Sequence, residues 1–281
     1  MAIENFIPEL WTSRLLVSLR KAQVAAALVN RDYEGEIRRQ GDTVHITSIN
    51  DVTIGNYTAH NDITVEDIDD DTRTLIIDQA KYFAVEIDDI EKAQQVAGGN
   101  ALAQAVDNAS YQLKDIVDTY LLAAMADGAT NELGAVNVSG DGAAYGALVD
   151  LAVSLDEANV PDSGRFVVVS PEFHGLLLKD DRFISAGDDP AAATRANGRV
   201  GQAAGLQVHK SNNLPDNADA SYKVGVAGYR GATTYAEQIV SMEGARMEKR
   251  FADMVKGLHV YGSLVTRPTG LATVELNTTG A

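Results

Sequence analysis

One run of apolar residues, spaced three and four positions apart, constrains the fold of this chain more than any other feature. The run extends from Asn100 to Ala126 and comprises Leu102, Ala105, Val106, Ala109, Leu113, Ile116, Val117, Tyr120, Leu121 and Ala124. This period predicts an amphipathic helix that would extend ~40 Å at the usual rise per residue. Any compact fold of the chain has to pack its other elements along this helix.

The residues that flank the predicted helix carry start and stop signals. Asp88-Asp-Ile-Glu91 has the form of a capping box, with Asp88 as the N-cap and Glu91 three residues later. Gly98-Gly99 disfavours helix and predicts a kink or break at that point. At the other end, Gly128 follows Asp127 and is expected to supply the C-cap.

A long β-hairpin is predicted ahead of that helix. Residues 41–49, 72–78 and 81–87 have the composition and alternation of half-buried strands. The link between the first two strands is acidic, because residues 42–72 contain eight Asp or Glu and no Lys or Arg. A ribbon with so few apolar residues at its tip is poorly stabilised alone, so we expect it to lie on another surface.

Strands and helices alternate between residues 140 and 235, which predicts one compact α/β lobe. Apolar spacing marks a helix that Pro161 ends, and Ser170-Pro171 has the usual form of a helix start. The predicted strands of the lobe are Arg165–Val169, Leu206–His209 and Lys223–Gly228, and residues 185–205 are predicted to form a loop. Beyond the lobe, extended segments are expected at 241–250, 258–266 and 271–276.

Composition excludes several classes of protein. The 281 residues include no cysteine, which rules out disulfides and Cys-ligated metal sites. The formal net charge of -17 is opposite in sign to that of a protein that grips nucleic acid. No apolar run approaches the ~18–20 residues of a membrane span, and the N-terminus lacks the pattern of a signal peptide. We therefore expect no membrane partner and no sequence-specific binding of DNA.

The sequence does not predict a catalytic or cofactor site. The five histidines are scattered and never have the spacing of a helical metal site, and the nucleophile elbow Gly-x-Ser-x-Gly is absent. The glycine-spaced segment 198–205 matches neither a dinucleotide nor a phosphate loop, and the acidic run 67–71 lacks the spacing of a calcium loop. We expect no enzyme activity, no cofactor and no metal. A soluble α/β enzyme with an unrecognised site, resting on residues 198–205, is a remote alternative.

Charged residues and one large apolar residue are the candidate contact sites. The basic candidates are Arg38, Arg39, Arg246, Lys249 and Arg250, the acidic ones are Asp67, Asp69, Asp70 and Asp71, and the apolar one is Trp11. The basic residues could form ordinary pairs within one chain, or they could face the acidic hairpin of a neighbouring copy through the planar Arg group. For the acidic hairpin, a solvated loop and a partner surface are both open.

Three segments together resemble the major capsid proteins of tailed double-stranded DNA bacteriophages, in the branch with the Hong Kong 97-like fold. They are residues 42–94 with the long helix behind them, Val167–Phe183, and Gly201–Pro215 followed by the segment from Ser241 to Pro268. The order and spacing are similar over nearly the whole chain. No single motif is diagnostic, so the resemblance depends on the combination.

The resemblance implies an α+β fold with five parts. They are an N-terminal arm at 1–38, an extended β-hairpin loop at 39–80, a peripheral domain at 81–127 with the long helix as its spine, an axial α/β domain at 128–239, and C-terminal strands of the peripheral domain at 240–281. It also implies pentamers and hexamers of the chain that form an icosahedral shell around double-stranded DNA. The chain would be a virion component, assembled in the cytoplasm of the host bacterium.

The resemblance also implies partners. A portal protein would occupy one vertex, and binding of a decoration protein is left open. Some relatives carry a long N-terminal scaffold segment, for which this chain has no room, so we expect a separate scaffolding protein. Some relatives crosslink subunits through a lysine of the extended loop, but here no lysine lies between Lys21 and Lys81. An encapsulin-like nanocompartment shell, with the same fold but holding cargo enzymes, is the nearest alternative.

Overall fold

A computed structural model describes residues 24–33, 42–49, 54, 56, 70–88, 101–140, 142–180, 201–218, 221–248 and 250–278. The helices in these ranges are α1 (Ala25–Leu28), α2 (Ala101–Asp127), α3 (Ala143–Glu157) and α4 (Pro171–Lys179). The strands are β1 (Thr43–Ile49), β2 (Asp70–Ile76), β3 (Gln79–Asp88), β4 (Asn131–Asn137), β5 (Arg165–Val169), β6 (Gln202–Ala203), β7 (Leu206–Lys210), β8 (Lys223–Tyr229), β9 (Thr233–Arg246), β10 (Ala252–Val265) and β11 (Leu271–Asn277).

The main sheet contains six strands in the order β4-β11-β8-β5-β7-β6. β4 runs parallel to β11 and β5 runs parallel to β7, whereas β8 is antiparallel to both of its neighbours. Helices α3 and α4 cover one face of the sheet, and α2 with the short α1 covers the other. The sheet is therefore the middle layer of three, which explains why β5 is buried along its whole length.

Local sequence signals explain how the helices of the lobe begin and end. The Ser170 hydroxyl accepts a hydrogen bond from the Phe173 amide (3.2 Å), and Pro171 occupies the first turn, so α4 begins as predicted. Helix α3 ends at Glu157, shortly before Pro161, which confirms the predicted stop.

Helix α2 confirms the predicted helix, and Val106, Leu113, Val117 and Leu121 of its apolar stripe are buried, whereas Ile116 of the same stripe is 40% exposed. The helix ends at Asp127 as predicted, but Gly128 does not adopt the left-handed conformation of a usual glycine C-cap. A Cβ atom on Gly128 would instead lie 2.5 Å from Val265 Cγ2. Glycine is therefore required at this helix end for close packing against β10, and not for its conformational freedom.

A second sheet contains three antiparallel strands in the order β3-β10-β9. The predicted hairpin is confirmed at its root, where β1 and β2 pair with Thr43 opposite Ile76. Leu75 and Ile77 at this root are fully buried in one cluster with Val260 of β10, so the hairpin rests on the second sheet. Most of the acidic link between β1 and β2 lies outside the described residues.

The strands of the C-terminal region are divided between the two sheets. The resemblance places residues 240–281 together in the peripheral domain, whereas their strands pair in two different sheets. β9 and β10 pair with each other in the second sheet, but β11 pairs with β8 and β4 in the main sheet. The reason is burial: the run Leu271–Val274 is buried throughout, which requires cover on both faces.

Strand β4 is not predicted from the sequence. It lies at the edge of the main sheet and, among the described strands, pairs with β11 alone. Most of its side chains are at least partly exposed, so the strand lacks the apolar pattern that would reveal it. Pairing of its backbone with a strand 140 positions later holds it in place.

Some sequence predictions fall on residues that the structure does not describe. These are the N-terminal arm up to residue 23, the capping box beyond Asp88, the Gly98-Gly99 break and most of the loop at 185–205. Asp88 itself is the last residue of β3. The end of that loop, Gln202–Ala203, forms the short strand β6 and pairs with β7.

Candidate functional site

The predicted contact residues are distributed over very different parts of the structure. Those outside the described residues are Trp11, Arg38, Arg39, Asp67, Asp69 and Lys249. Asp70 and Asp71 are the first two residues of β2, and their backbones pair with the end of β1. Arg246 and Arg250 lie near the turn between β9 and β10, at the end of the second sheet.

Arg246 and Arg250 each form an ion pair within the chain. Arg246 Nη1 lies 3.5 Å from Asp253 Oδ1 on β10, and Arg250 Nη1 lies 3.0 Å from Glu86 Oε1 on β3. All four side chains are exposed to solvent to a substantial degree, and such pairs contribute about 1 kcal/mol or less to folding. Both arginines therefore form ion pairs within one chain, and a role in contacts between copies stays a prediction.

The same end of the second sheet exposes an aromatic side chain, because Phe251, in the turn that leads into β10, is 80% exposed. Tyr82, which lies on β3 opposite Leu258 in the middle of β10, is 79% exposed. Aromatic and arginine side chains are enriched where proteins contact one another. We call Glu86, Arg246, Arg250 and Phe251 the distal surface.

A buried charge cluster lies where the segment 24–33 meets β9. Glu237 Oε1 accepts a hydrogen bond from Arg31, and Oε2 accepts bonds from the Tyr235 hydroxyl (2.8 Å) and from His259 Nε2 (3.1 Å). The Glu237 side chain is 11% exposed. The Arg31 guanidinium also lies 5.6 Å from the centre of the Tyr235 ring. We call Arg31, Tyr235, Glu237 and His259 the arm cluster.

Competing effects set the pKa of the Glu237 carboxyl. Burial raises this pKa, but the hydrogen bond and charge of His259, the charge of Arg31 and the hydroxyl of Tyr235 together lower it to about 2. Burial, followed by the charge of Glu237, raises the pKa of Tyr235 well above its usual value. The cluster therefore holds a charged carboxylate and a neutral phenol near neutral pH.

Sequence reasoning missed the arm cluster because its members are far apart in the chain. Arg31 and Glu237 are 206 positions apart, and no local pattern connects them. One signal is present in the strands: Tyr235-x-Glu237 and His259-x-Tyr261 place polar groups at every second position, which directs them to one face. Polar groups that alternate within otherwise apolar strands indicate a buried network.

A second buried carboxylate, Asp118 on α2, joins three parts of the chain. Its Oδ1 accepts a hydrogen bond from the backbone amide of Ala25 at the start of α1 (2.8 Å). Its Oδ2 accepts hydrogen bonds from the Ser211 hydroxyl (3.2 Å) and from the side-chain amide of Asn213 (3.4 Å). Ser211 and Asn213 follow β7. One side chain therefore fixes both the N-terminal segment and a loop of the main sheet to the long helix.

Among the described residues, no group of His, Cys, Asp or Glu side chains could hold a metal ion.

Burial lowers the pKa of His174 and of His209, as expected for core histidines. An open pocket of about 430 Å³ lies beyond the carboxyl ends of β5 and β7, and Lys223 in its lining is paired with Asp216 (2.7 Å). In the part of the chain that the structure covers, no helix is long and apolar enough to cross a membrane.

Comparison with known proteins identifies similar chains. A family model described as phage capsid protein matches residues 70–274. A solved structure from Mycobacterium phage Che8 is 31% identical, with a TM-score of 0.76 over 92% of both chains. The capsid structure of the Cyanophage P-SCSP1u is 18% identical, with a TM-score of 0.72 over 91% of this chain and 88% of that chain. No curated protein matches the chain.

A third solved structure is similar at lower identity. The asymmetric unit of bacteriophage PhiM1 mature capsid is 17% identical, with a TM-score of 0.66 over 83% of this chain and 82% of that chain. Each match extends over most of both chains. The similarity therefore concerns the complete fold and not a single motif.

Proposed function

The chain belongs to the phage capsid protein family, and on that basis we propose that it is the major capsid protein of a tailed phage. It is a structural protein of the capsid shell. In this proposal, copies assemble through pentamers and hexamers into an icosahedral shell around double-stranded DNA. The observation that carries the proposal is the fold shared over 92% of both chains with the structure from Mycobacterium phage Che8.

The two sheets suggest how the chain divides into domains. The axial domain would contain the main sheet with α3 and α4, and it would include β11. The peripheral domain would contain α2 and the second sheet of β3, β9 and β10. Residues 1–38 would form the arm and residues 39–80 the extended loop, as the resemblance implies. This division keeps each sheet within one domain, as the strand pairing supports.

Contacts between copies are proposed at the distal surface. Phe251 would supply an apolar anchor, because a mostly exposed Phe gains free energy when a neighbouring copy covers it. The acidic stretch 42–72 of one copy would approach Arg246, Lys249 and Arg250 of the next. Trp11, Arg38, Arg39 and the acidic residues Asp67, Asp69, Asp70 and Asp71 are retained as further contact candidates.

The charge of the chain supports a role as a container for DNA. A net charge of -17 disfavours adhesion of phosphate groups to the shell, so DNA would be enclosed without recognition of its sequence. A separate scaffolding protein would guide assembly in the host cytoplasm, and a portal protein would occupy one vertex. The proposal includes no catalytic role and no cofactor, and binding of a decoration protein is left to experiment.

Expression of the chain alone, and together with a scaffolding protein from the same phage genome, tests the proposal. Negative-stain electron microscopy and light scattering would measure the products. We expect uniform closed particles with the scaffolding protein, and capsomer rings or irregular assemblies without it. Uniform closed shells from the chain alone would reject the separate scaffold. A monodisperse monomer or dimer under both conditions would reject the capsid proposal.

A further inference from the structure

Segment 24–33 is attached to the rest of the subunit by different chemistry at its two ends. At its helical end, the Asp118 carboxylate accepts a hydrogen bond from the backbone amide of Ala25, the first residue of α1 (2.8 Å). At its other end, the segment forms one parallel bridge with β9. There, the Asn30 amide donates to the Thr233 carbonyl (2.9 Å), and the Tyr235 amide donates to the Asn30 carbonyl (2.9 Å).

The bridge at Asn30 is too short to be stable by itself. It contributes two backbone hydrogen bonds, whereas β3 pairs with β10 along all 10 of its residues. Side chains supply the additional attachment. Arg31, next to the bridge, donates a hydrogen bond to the buried Glu237 carboxylate and contacts the Tyr235 ring.

Arg31 differs from the other partners of Glu237 because its charge does not depend on pH. Among the described residues, the titratable and charged groups around the carboxylate are Arg31 of the segment, Tyr235 of β9, His259 and Tyr261 of β10, Tyr120 of α2, and Asp78 between β2 and β3. His259 Nε2 must act as a donor, because an ionised carboxylate can only accept. Arg31 is the one permanent cation in this set, so its removal leaves a buried anion without a cation that stays charged at every pH.

We propose that Arg31 and Glu237 form a charge-dependent latch, which holds one end of segment 24–33, at Asn30 and Arg31, on β9 and can open without unfolding the main sheet. While the carboxylate is charged, the latch is closed. When the carboxylate is protonated, or when Arg31 is replaced by a neutral residue, only the bridge at Asn30 holds this end and it detaches from β9, whereas the buried residues of α1 and Val29 stay packed against α2. The latch itself does not depend on the proposed function. Only its consequence rests on it, namely that an open latch prevents regular shells.

The direction of the Glu237 shift sets the pH dependence of the latch. In the closed state the carboxyl pKa is lowered from an ordinary 4.5 to about 2. A lowered pKa stabilises the closed state fully above the ordinary value, and this contribution is lost as the pH falls through the lowered value. Protection of Asn30 and Arg31 should therefore be constant above pH 4.5 and should decline between pH 4.5 and about 2.

Hydrogen exchange measured by mass spectrometry tests the latch in the full-length chain, with every protein compared in the same assembly state. Peptides that contain Asn30 or Tyr235 report on the latch, and peptides from β5 report on the main sheet. In Arg31→Met, we expect exchange in the latch peptides to be about tenfold faster or more, because a buried carboxylate has lost its cation. Exchange in β5 should not change. Arg31→Lys keeps the charge and should retain most of the protection.

Two further variants separate the latch from a general packing effect. Arg246→Met removes an arginine from an exposed pair and should leave both sets of peptides unchanged. Glu237→Gln should open the latch at neutral pH and abolish the acid-dependent step. Any one of three results would overturn the latch. The first is exchange at the wild-type rate in the latch peptides of Arg31→Met, and the second is an equal acceleration of exchange in the β5 peptides of that variant. The third is an acid-dependent step that is unchanged in Glu237→Gln. If the wild-type chain forms no shells but these exchange results are obtained, the capsid proposal is rejected and the latch is supported.

Discussion

A Cβ atom placed on Gly262 would lie 2.3 Å from the carbonyl oxygen of Ile76, so the end of β2 rests directly on the backbone of β10. Arg73, earlier in β2, extends the contact by donating a hydrogen bond to the Val265 carbonyl (3.4 Å). The root of the β1-β2 hairpin is thus positioned by a close approach of two backbones. Only glycine at position 262 permits that approach.

Substitution Gly262→Ala should destabilise the chain by about 1–3 kcal/mol, because the added methyl group meets backbone atoms that cannot move aside cheaply. The measurement is the free energy of unfolding in urea. The matched control is Gly146→Ala within α3, where nothing lies within 4 Å of the added Cβ. That control should stabilise the chain by about 0.5–1 kcal/mol, since glycine is unfavourable in a helix. A neutral Gly262→Ala would contradict the close approach.

Substitution Asp118→Ala should cost about 2–3 kcal/mol of folding free energy, because the Ala25 amide and the Ser211 hydroxyl lose a charged acceptor inside the protein. Urea unfolding measures the loss. Asp115→Ala, one turn earlier on the exposed face of α2, removes a hydrogen bond to Asn213 and should cost at most about 1 kcal/mol. Equal losses in the two variants would show that Asp118 does not join the segment to the helix.

Tyr261 should ionise late in an alkaline titration. Burial, followed by the charges of Tyr120 and Asp78, raises its pKa to about 12. A raised pKa means that the neutral phenol stabilises the fold below pH 10 and that this contribution is lost as the pH rises through about 12. Tyrosinate absorbance should show a late step that shrinks in Tyr261→Phe. The exposed control Tyr82→Phe should leave that step intact, and a late step unchanged in Tyr261→Phe would refute the assignment.

Substitution Arg250→Glu should leave the subunit folded but prevent closed shells. It replaces the exposed pair with Glu86 by a repulsion, which costs about 1 kcal/mol or less in the subunit. Electron microscopy measures shell formation, and thermal unfolding checks the subunit. The control is the charge swap Arg250→Glu with Glu86→Arg, which restores the pair within one chain. Recovery of normal shells in the swap, or normal shells in the single variant, would show that Arg250 does not act between copies.

Sequence reasoning succeeded where a signal is local. The apolar period of α2 and the Ser170-Pro171 start of α4 depend on residues within a few positions of each other, so helix propensity and capping can be read directly. The same holds for β5, whose continuous apolar run predicts a strand buried on both faces. For these elements, the local sequence already favours the observed secondary structure, and the tertiary packing then buries it.

Sequence reasoning failed where distant residues decide the outcome. β11 has the strand pattern that was expected, but its choice between the two sheets depends on pairing with β8 and β4, which no local pattern encodes. The arm cluster was missed for the same reason, because Arg31 and Glu237 are 206 positions apart and no local pattern connects them. Arg246 and Arg250 stay candidates for contacts between copies, and the sequence did not identify their partners within the chain, Asp253 and Glu86.

The most direct test of the central claim is electron cryomicroscopy of particles formed by this chain with its scaffolding protein. The account predicts a closed icosahedral shell, built from rings of five and six copies, in which each copy has its two sheets as described and Phe251 is covered by a neighbouring copy. Absence of any closed particle, or closed particles in which Phe251 and Arg250 face solvent in every copy, would contradict it.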